Sequence, residues 1–196
     1  MTPPRSRPAS HSRARTHPPG RRSTFAPPLT VSHPAMLASG SDVSFRETLY
    51  SMVLAFNRLI ACREAFGRAL ALTGSQFAVL VGTAYRQGHD GVSIRALAEH
   101  VQLAPTHVTT EVGRLVRKGL LDKQVNRRDR RGVLVTLSPK GEVAVRKISP
   151  FLRRVNDLLF QDIGRQELAA LARFLQVFLR NGEEALAEIR RREGRT

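Results

Sequence analysis

The hydrophobic pattern of this chain changes its period at Gly119, and that change restricts the possible folds more than any other feature. Before Gly119, apolar residues recur at helical spacing; after it come two short strand-like runs, "LLDKQV" and "GVLVTL", separated by an arginine-rich segment. Glycine is favoured just past the end of a helix. The pattern therefore predicts a helix that is followed directly by a β-hairpin.

Two helices precede this hairpin, and each has a recognisable start. The tetrapeptide "TGSQ" at residues 73–76 has the form of a capping box, and Ser93 is suited to cap a short helix over residues 94–101. Pro105 is tolerated in the first turn of the next helix, which runs up to the period change. Helix, short turn, helix and hairpin is the layout of a winged helix-turn-helix, predicted over about residues 73–137.

Long amphipathic helices flank this unit. One is predicted over residues 42–70, and two more over residues 139–190, the first of them capped by Ser138 and Pro139 and ending at about Asp162. Their apolar surface exceeds what a small winged unit needs, so we expect dimerisation, although completion of a monomer core is the alternative. The predicted fold class is mainly α (α+β): a winged helix-turn-helix with N- and C-terminal dimerisation helices. This domain covers residues 42–190, and a basic C-terminal end follows at 191–196.

The helix before Gly119 separates its side chains into two faces. Val108, Val112, Leu115 and Val116 fall within an arc of about 100°. The outer face combines small polar groups near its start with cations further along: Thr106, His107, Thr110, Gly113, Arg114 and Arg117. This order suits a recognition helix, whose first turns meet base edges and whose later residues meet phosphate. An ordinary surface helix of a basic protein is the alternative, and for His107 an exposed histidine without a special role.

The charge is strongly positive and locally concentrated. The 196 residues include 32 basic and 16 acidic ones, which gives a formal net charge of +16. From Arg114 to Arg131 there are eight basic residues and two acidic ones. Charge focused in this way favours nucleic acid as the partner over an anionic membrane surface. An exposed helix suits the major groove of B-form DNA better than the deep, narrow groove of A-form RNA.

The first 41 residues differ in composition from the rest. They hold eight of the eleven prolines and six arginines but no acidic residue, and they show no hydrophobic periodicity. This composition predicts a disordered basic tail. Two alternatives stay open: an organellar transit peptide, and a native protein that starts at Met36.

Several function classes lack the sequence patterns that they require. The chain contains no P-loop, no HExxH and no G-x-S-x-G pattern, so we expect neither an enzyme nor a cofactor. Its histidines lack the spacing of metal ligands, and no apolar run approaches the roughly 18 residues that span a bilayer. The single cysteine, Cys62, suits a reducing compartment. We expect a cytoplasmic protein.

Residues 101–141, "VQLAPTHVTTEVGRLVRKGLLDKQVNRRDRRGVLVTLSPKG", resemble the MarR family of bacterial regulators. The likeness rests on the helix end "LVRKGL", the Asp129-x-Arg131 pattern between the strands and the exit "VTLSPKG" into the next helix. With the flanking helices, the resemblance covers about residues 42–190, and it implies a protein of the bacterial nucleoid. One position departs from the pattern: Ala104 stands where the family usually has a serine that caps the helix and touches phosphate. We expect that contact to be missing.

The resemblance implies a sequence-specific transcription regulator, in many members a repressor, that binds double-stranded DNA at an inverted-repeat operator as a homodimer. It also implies that the tip of the hairpin enters the minor groove, with Arg131 inserted and oriented by Asp129, while the neighbouring arginines lie on phosphates. The expected DNA contacts are Thr106, His107, Thr109, Thr110, Arg114, Arg117, Arg127, Arg128, Asp129, Arg130 and Arg131.

Family members often bind a small, frequently aromatic anion between the dimerisation helices and the winged unit. The resemblance therefore implies an effector, with Met52, Phe56, Arg63 and Phe77 as candidate contacts, although ordinary core packing is the alternative for each of them. Cys62 raises the alternative of redox sensing. It lies well inside the first helix, whereas peroxide-sensing members carry their reactive cysteine near the start of that helix.

A general architectural protein that contacts phosphate alone is the competing hypothesis. The small polar residues at the start of the outer helix face favour the sequence-specific regulator, because pure phosphate binding requires none of them.

We expect Arg131→Ala to weaken operator binding by about 1–3 kcal/mol and to flatten its salt dependence, because the change removes a cation from the minor groove. Fluorescence-anisotropy titrations at several salt concentrations measure both quantities. An unchanged affinity and an unchanged slope would refute the role assigned to the wing.

Overall fold

The computed structural model describes residues 25–126 and 132–195. The chain divides into two compact units, with the boundary between Val53 and Leu54. After a 3-10 turn at Pro34–Met36, the elements in chain order are α1 (Val43–Ala69), α2 (Gly74–Arg86), β1 (Val92–Ser93), α3 (Ile94–Val101), α4 (Pro105–Arg117), β2 (Leu121–Val125), β3 (Val133–Leu137), α5 (Pro139–Leu159) and α6 (Arg165–Glu193). This mainly helical fold with one small sheet confirms the predicted class.

The first unit contains an anchored turn ahead of α1. The backbone N–H and the hydroxyl of Thr30 both donate to Oδ2 of the buried Asp42, each at 2.7 Å. These bonds hold the pKa of Asp42 below its ordinary value, with the Thr30 hydroxyl as the largest cause. The anchor is therefore complete at neutral pH, and its contribution to stability is lost as the pH falls through the lowered pKa.

This anchor corrects the boundary of the predicted tail. Regular structure begins before residue 42, because the Thr30 bonds and the turn at Pro34–Met36 organise the preceding residues. Composition indicated disorder here because it does not register a pairing between residues 12 positions apart. Residues 1–24 of the predicted tail lie outside the described residues.

The helix starts in the second unit follow the predicted caps. The Thr73 hydroxyl accepts from the Gln76 N–H at 3.2 Å, and the Gln76 side chain accepts from the Thr73 N–H at 3.4 Å, which completes the capping box. Ser93 caps α3 by accepting from the Ala96 N–H at 3.2 Å. Ser138 caps α5 in the same way. Short-range capping chemistry therefore determines where these helices begin.

The helix ends agree with the prediction at the period change and differ further along. Gly119 has a φ of +72°, the left-handed conformation that terminates α4. Helix α5 ends at Leu159, three residues before the predicted end, and α6 continues to Glu193, past the predicted boundary at 190. Both differences fall on exposed helix ends, where the hydrophobic pattern gives no stop signal.

The sheet has one strand more than predicted. Its order is β1-β3-β2, and both pairings are antiparallel. The additional strand β1 pairs Val92 with Val135 and Ser93 with Leu134. This strand was not predicted because two residues are too few to show the alternating hydrophobic pattern of a strand. The sheet and helices α2–α4 enclose one core, which includes the fully buried Leu80 and Leu97.

No single helix in the described part of the chain is both long and apolar enough to cross a membrane. Helices α1 and α2 meet that criterion only when they are taken together across the bend between them.

Gly141, in the first turn of α5, packs directly against the backbone of Leu120, and an added Cβ would collide with the Leu120 carbonyl oxygen. We expect Gly141→Ala to lower the free energy of unfolding by about 1–3 kcal/mol, because the backbone must shift. The control is Gly113→Ala within α4, where the nearest atom to a new Cβ is Arg117 Nη1 at 3.9 Å. That change should raise the stability by about 0.5–1 kcal/mol. Urea denaturation separates the two, and equal losses would contradict the packing argument.

Candidate nucleic-acid interface

Helix α4 is held in place by one row of buried side chains. Val108, Val112 and Leu115 are each 0% exposed and belong to the same core as Leu80 and Leu97. Because these side chains occupy one face, the opposite face of α4 lies on the surface. The predicted division of this helix into two faces is therefore confirmed. Packing within the protein core holds the helix in place.

The exposed face of α4 carries every residue of this helix that was predicted to contact DNA. Thr106, His107, Thr109, Thr110, Arg114 and Arg117 are all exposed. The hydroxyl of Thr109 donates to the carbonyl of Pro105 at 2.9 Å, and that of Thr110 donates to the carbonyl of Thr106 at 3.1 Å.

These two intrahelical bonds limit what the threonines can recognise. With the hydroxyl proton engaged inside the helix, the oxygen remains an acceptor and the methyl group remains exposed. An acceptor suits the amino groups of adenine or cytosine, and a methyl group suits the thymine methyl. Guanine presents only the acceptors N7 and O6 in the major groove, so it forms no hydrogen bond with a threonine oxygen that can only accept.

The start of α4 lacks a side-chain cap. Ala104 occupies the N-cap position without a capping hydrogen bond, and Pro105 follows it in the first turn. The missing cap agrees with the expected departure from the MarR pattern. Backbone N–H groups at an uncapped helix start are suited to an anionic partner, and here they lie beside Thr106 and His107.

The other end of α4 is tied to its neighbours by two lysines. Lys118 Nζ donates to the carbonyl oxygen of Ala71 at 2.9 Å, and Lys140 Nζ donates to the carbonyl oxygen of Lys118 at 2.9 Å. The sequence placed Lys118 in the local positive charge and in the helix end "LVRKGL", but it did not predict this bond. Ala71 lies 47 residues away in the sequence, so no local sequence pattern predicts this bond.

A basic groove lies next to this end of α4. It has a volume of about 790 Å³ and an apolar floor that includes Leu70, Leu72 and Leu120. Its charged lining residues are all cations: Arg68, Arg117, Lys118, Lys140 and Lys147. The positive surface of α4 therefore continues onto the end of α1 and the start of α5.

The hairpin formed by β2 and β3 projects beside α4. Its register runs from Leu121 opposite Leu137 to Val125 opposite Val133, and the Asn126 N–H donates to the Gly132 carbonyl at 2.9 Å. The hairpin confirms the predicted wing as far as these residues. The expected contacts at its tip, Arg127, Arg128, Asp129, Arg130 and Arg131, lie outside the described residues.

Glu111 is a component of this helix that sequence reasoning missed. It is only 2% exposed, and its Oε1 accepts from Arg114 Nη1 at 2.6 Å. Its position next to the apolar row was the available signal, because a glutamate three residues after Val108 and four before Leu115 falls at the edge of the buried arc.

The winged part of the chain also matches known proteins. Residues 72–132 match the sequence profile of the MarR family. This winged part of the chain is therefore similar to proteins of the MarR family. The HTH-type transcriptional regulator YwhA of Bacillus subtilis, itself uncharacterised, is 28% identical over 92 residues, which are 45% of this chain and 66% of YwhA. The match therefore spans just under two thirds of that relative.

Solved structures of other proteins share the fold, among them one of the MarR family. A transcriptional regulator from Silicibacter pomeroyi superposes with a TM-score of 0.59 at 22% identity, covering 77% of this chain and 96% of that one. BpsR of Bordetella bronchiseptica, whose DNA binding is regulated by 6-hydroxynicotinic acid, gives a TM-score of 0.55 at 24% identity, covering 67% of this chain and 98% of that one. These likenesses confirm the winged-helix fold.

The effector contacts expected from the MarR resemblance differ in their burial and in their neighbours. Phe77 is buried, with its ring 5.6 Å from that of Phe66, in a group that Cys62 also contacts. Phe56 is 38% exposed and is not part of that group. Arg63 has a buried Nε without a hydrogen-bond partner among the described residues. Met52 belongs to the first unit. The effector site remains a prediction.

Proposed function

We propose that this chain is a cytoplasmic, sequence-specific transcription regulator of the MarR type that binds double-stranded DNA through α4. The observation that carries the proposal is the construction of this helix. Three side chains with no exposed surface fix it from behind, and threonines and arginines occupy its free face. Base reading requires side chains that are held in a defined position on a rigid element.

The basic groove supports the same proposal, because it explains the affinity for DNA phosphates. Its cations lie where α4 ends and α5 begins, next to the outward-facing Arg117. Lys and Arg in such a position neutralise phosphates that flank a half-site, and these contacts fix the protein on the duplex without reading sequence. Threonines for bases and cations for phosphates give α4 both components of specific binding.

We also propose that the regulator is a homodimer joined through its flanking helices. In α6, which the structure describes throughout its 29 residues, no residue is buried. Its exposed apolar residues include the stacked rings of Phe174 and Phe178, 5.6 Å apart. A continuous apolar surface of this extent indicates a partner. A second copy of the chain would cover it and would supply the second α4 that an inverted-repeat operator requires.

We further propose a repressor whose DNA binding is relieved by a small aromatic or anionic effector. The regulation of BpsR by 6-hydroxynicotinic acid supports an effector of this chemistry. The buried Arg63 Nε supports it too, since this donor has no hydrogen-bond partner among the described residues and is suited to an anion. Arg63 follows Cys62, which packs against the Phe66–Phe77 group.

Selection from random genomic fragments tests the proposal directly. Purified full-length protein is incubated with the fragments at moderate salt, and the bound pool is sequenced. We expect enrichment of one inverted repeat. Uniform recovery that disappears as salt is raised would contradict sequence-specific regulation and would favour an architectural protein that binds phosphate alone.

We expect Thr110→Ala to reduce the discrimination between operator and random DNA by on the order of 1 kcal/mol, because a base contact is lost. The matched control is Thr48→Ala in α1, since Thr48 is also exposed and also donates to the carbonyl four residues earlier, at 2.8 Å. Competition titrations with the two DNAs measure the ratio. Equal losses on both DNAs would contradict a base-reading role for Thr110.

We expect Leu171→Glu to raise the dimer dissociation constant by about two orders of magnitude, because an interface that buries unpaired carboxylates is strongly destabilised. Arg180→Glu, on the opposite side of α6, introduces the same side chain and should leave the dimer intact. Sedimentation equilibrium measures the constant for both variants. A Leu171→Glu protein as dimeric as the control would show that α6 is not the interface.

A further inference from the structure

The recognition helix α4 buries a carboxylate directly beneath one of its DNA-facing arginines. Glu111 is 2% exposed, while the side chain of Arg114 is 50% exposed. Arg114 Nη1 donates to Glu111 Oε1 at 2.6 Å. Glu111 Oε2 is also buried and has no hydrogen-bond partner among the described residues.

This pair differs from an ordinary ion pair on a helix surface. The neighbouring helix α3 carries such a pair, Arg95 and Glu99, whose side chains are 88% and 66% exposed. Exposed ion pairs contribute little to stability, because water readily replaces either partner. A carboxylate taken out of water is costly unless a partner compensates it. Moving Arg114 away would leave the buried Glu111 carboxylate uncompensated, so the pair is held together more strongly than an exposed one.

Holding Arg114 at one nitrogen leaves most of its binding capacity free. A guanidinium has five N–H donors in a rigid plane, and a single one of them is engaged by Glu111. The half-exposed remainder lies on the outer face of α4, one turn beyond Thr110. A plane tethered at one corner presents its other donors in a limited set of directions, whereas an untethered arginine follows the nearest phosphate.

We propose that Glu111 is a positioning residue that sets DNA specificity by orienting Arg114 toward a base edge and away from the phosphates. The inference rests on the proposed DNA-binding function. An oriented guanidinium forms a bidentate pair with guanine O6 and N7, for which planarity and direction are required. The negative charge of Glu111 also offsets the attraction of Arg114 for phosphates, which lowers the affinity for random DNA.

His107 lies on the same side of the helix but does not compete for this role. Its Nε2 is 3.9 Å from Glu111 Oε1, which is beyond hydrogen-bond distance. Arg114 is therefore the side chain that Glu111 holds.

The test is Glu111→Gln in the full-length protein, with binding measured to the selected operator and to a random duplex of equal length over a salt series. Glutamine keeps the shape of the side chain and removes its charge. We expect the operator-to-random affinity ratio to fall about tenfold, mainly because binding to random DNA strengthens. The salt slope on random DNA should steepen by about one phosphate contact. Glu99→Gln, which breaks the exposed pair with Arg95, should leave the ratio unchanged.

A double variant shows whether the effect acts through Arg114. Glu111→Gln combined with Arg114→Ala should have the same ratio as Arg114→Ala alone, because the tether has nothing left to orient. Additive losses would overturn the inference. So would a Glu111→Gln protein with the wild-type ratio, or one that loses affinity equally on both DNAs together with a lower Tm.

Two further controls keep the outcome decisive. Should Glu111→Gln fail to fold, Glu111→Leu removes the charge without adding a buried polar group, and the same fall in the ratio is expected. If the wild-type protein selects an operator and a variant without the Glu111 charge selects it equally well, this inference is wrong and the proposed function stands. A wild-type protein without selectivity overturns the proposed function and this inference with it.

Discussion

The packing of Val108, Val112 and Leu115 into the core is the interaction on which the rest of the interface depends. These three side chains have no exposed surface, and they determine which side of α4 faces outward. The threonines and arginines of the free face have defined positions only because this row is buried. The lysine bonds at the end of α4 join the helix to the turn after α1 and to the start of α5.

Features that depend on neighbouring residues could be predicted from the sequence. The capping box of Thr73 and Gln76, the Ser93 and Ser138 caps and the left-handed Gly119 involve residues at most four positions apart, and each lies where its local pattern indicates. Burial of one face of α4 followed from the 3.6-residue period. Local chemistry was therefore sufficient to predict the helix starts and the faces of α4.

Features that depend on distant residues could not be predicted in this way. The strand β1 is visible only through its pairing with β3, and the Lys118 bond joins residues 47 positions apart. The Thr30 anchor lies inside a segment whose composition indicates disorder. Glu111 was missed for another reason: its position at the edge of the apolar row was a signal, but a charged residue there is ordinarily assigned to the surface.

The proposed function requires one arrangement on DNA: two copies of α4, related by the symmetry of a homodimer, in successive major grooves on one side of the duplex. The most direct test is hydroxyl-radical footprinting combined with guanine-methylation interference on the selected operator. We expect two equivalent patches of protected backbone on one face of the duplex, with interfering major-groove guanines centred about 10 base pairs apart. A single patch, or protection without interference at any major-groove base, would contradict it.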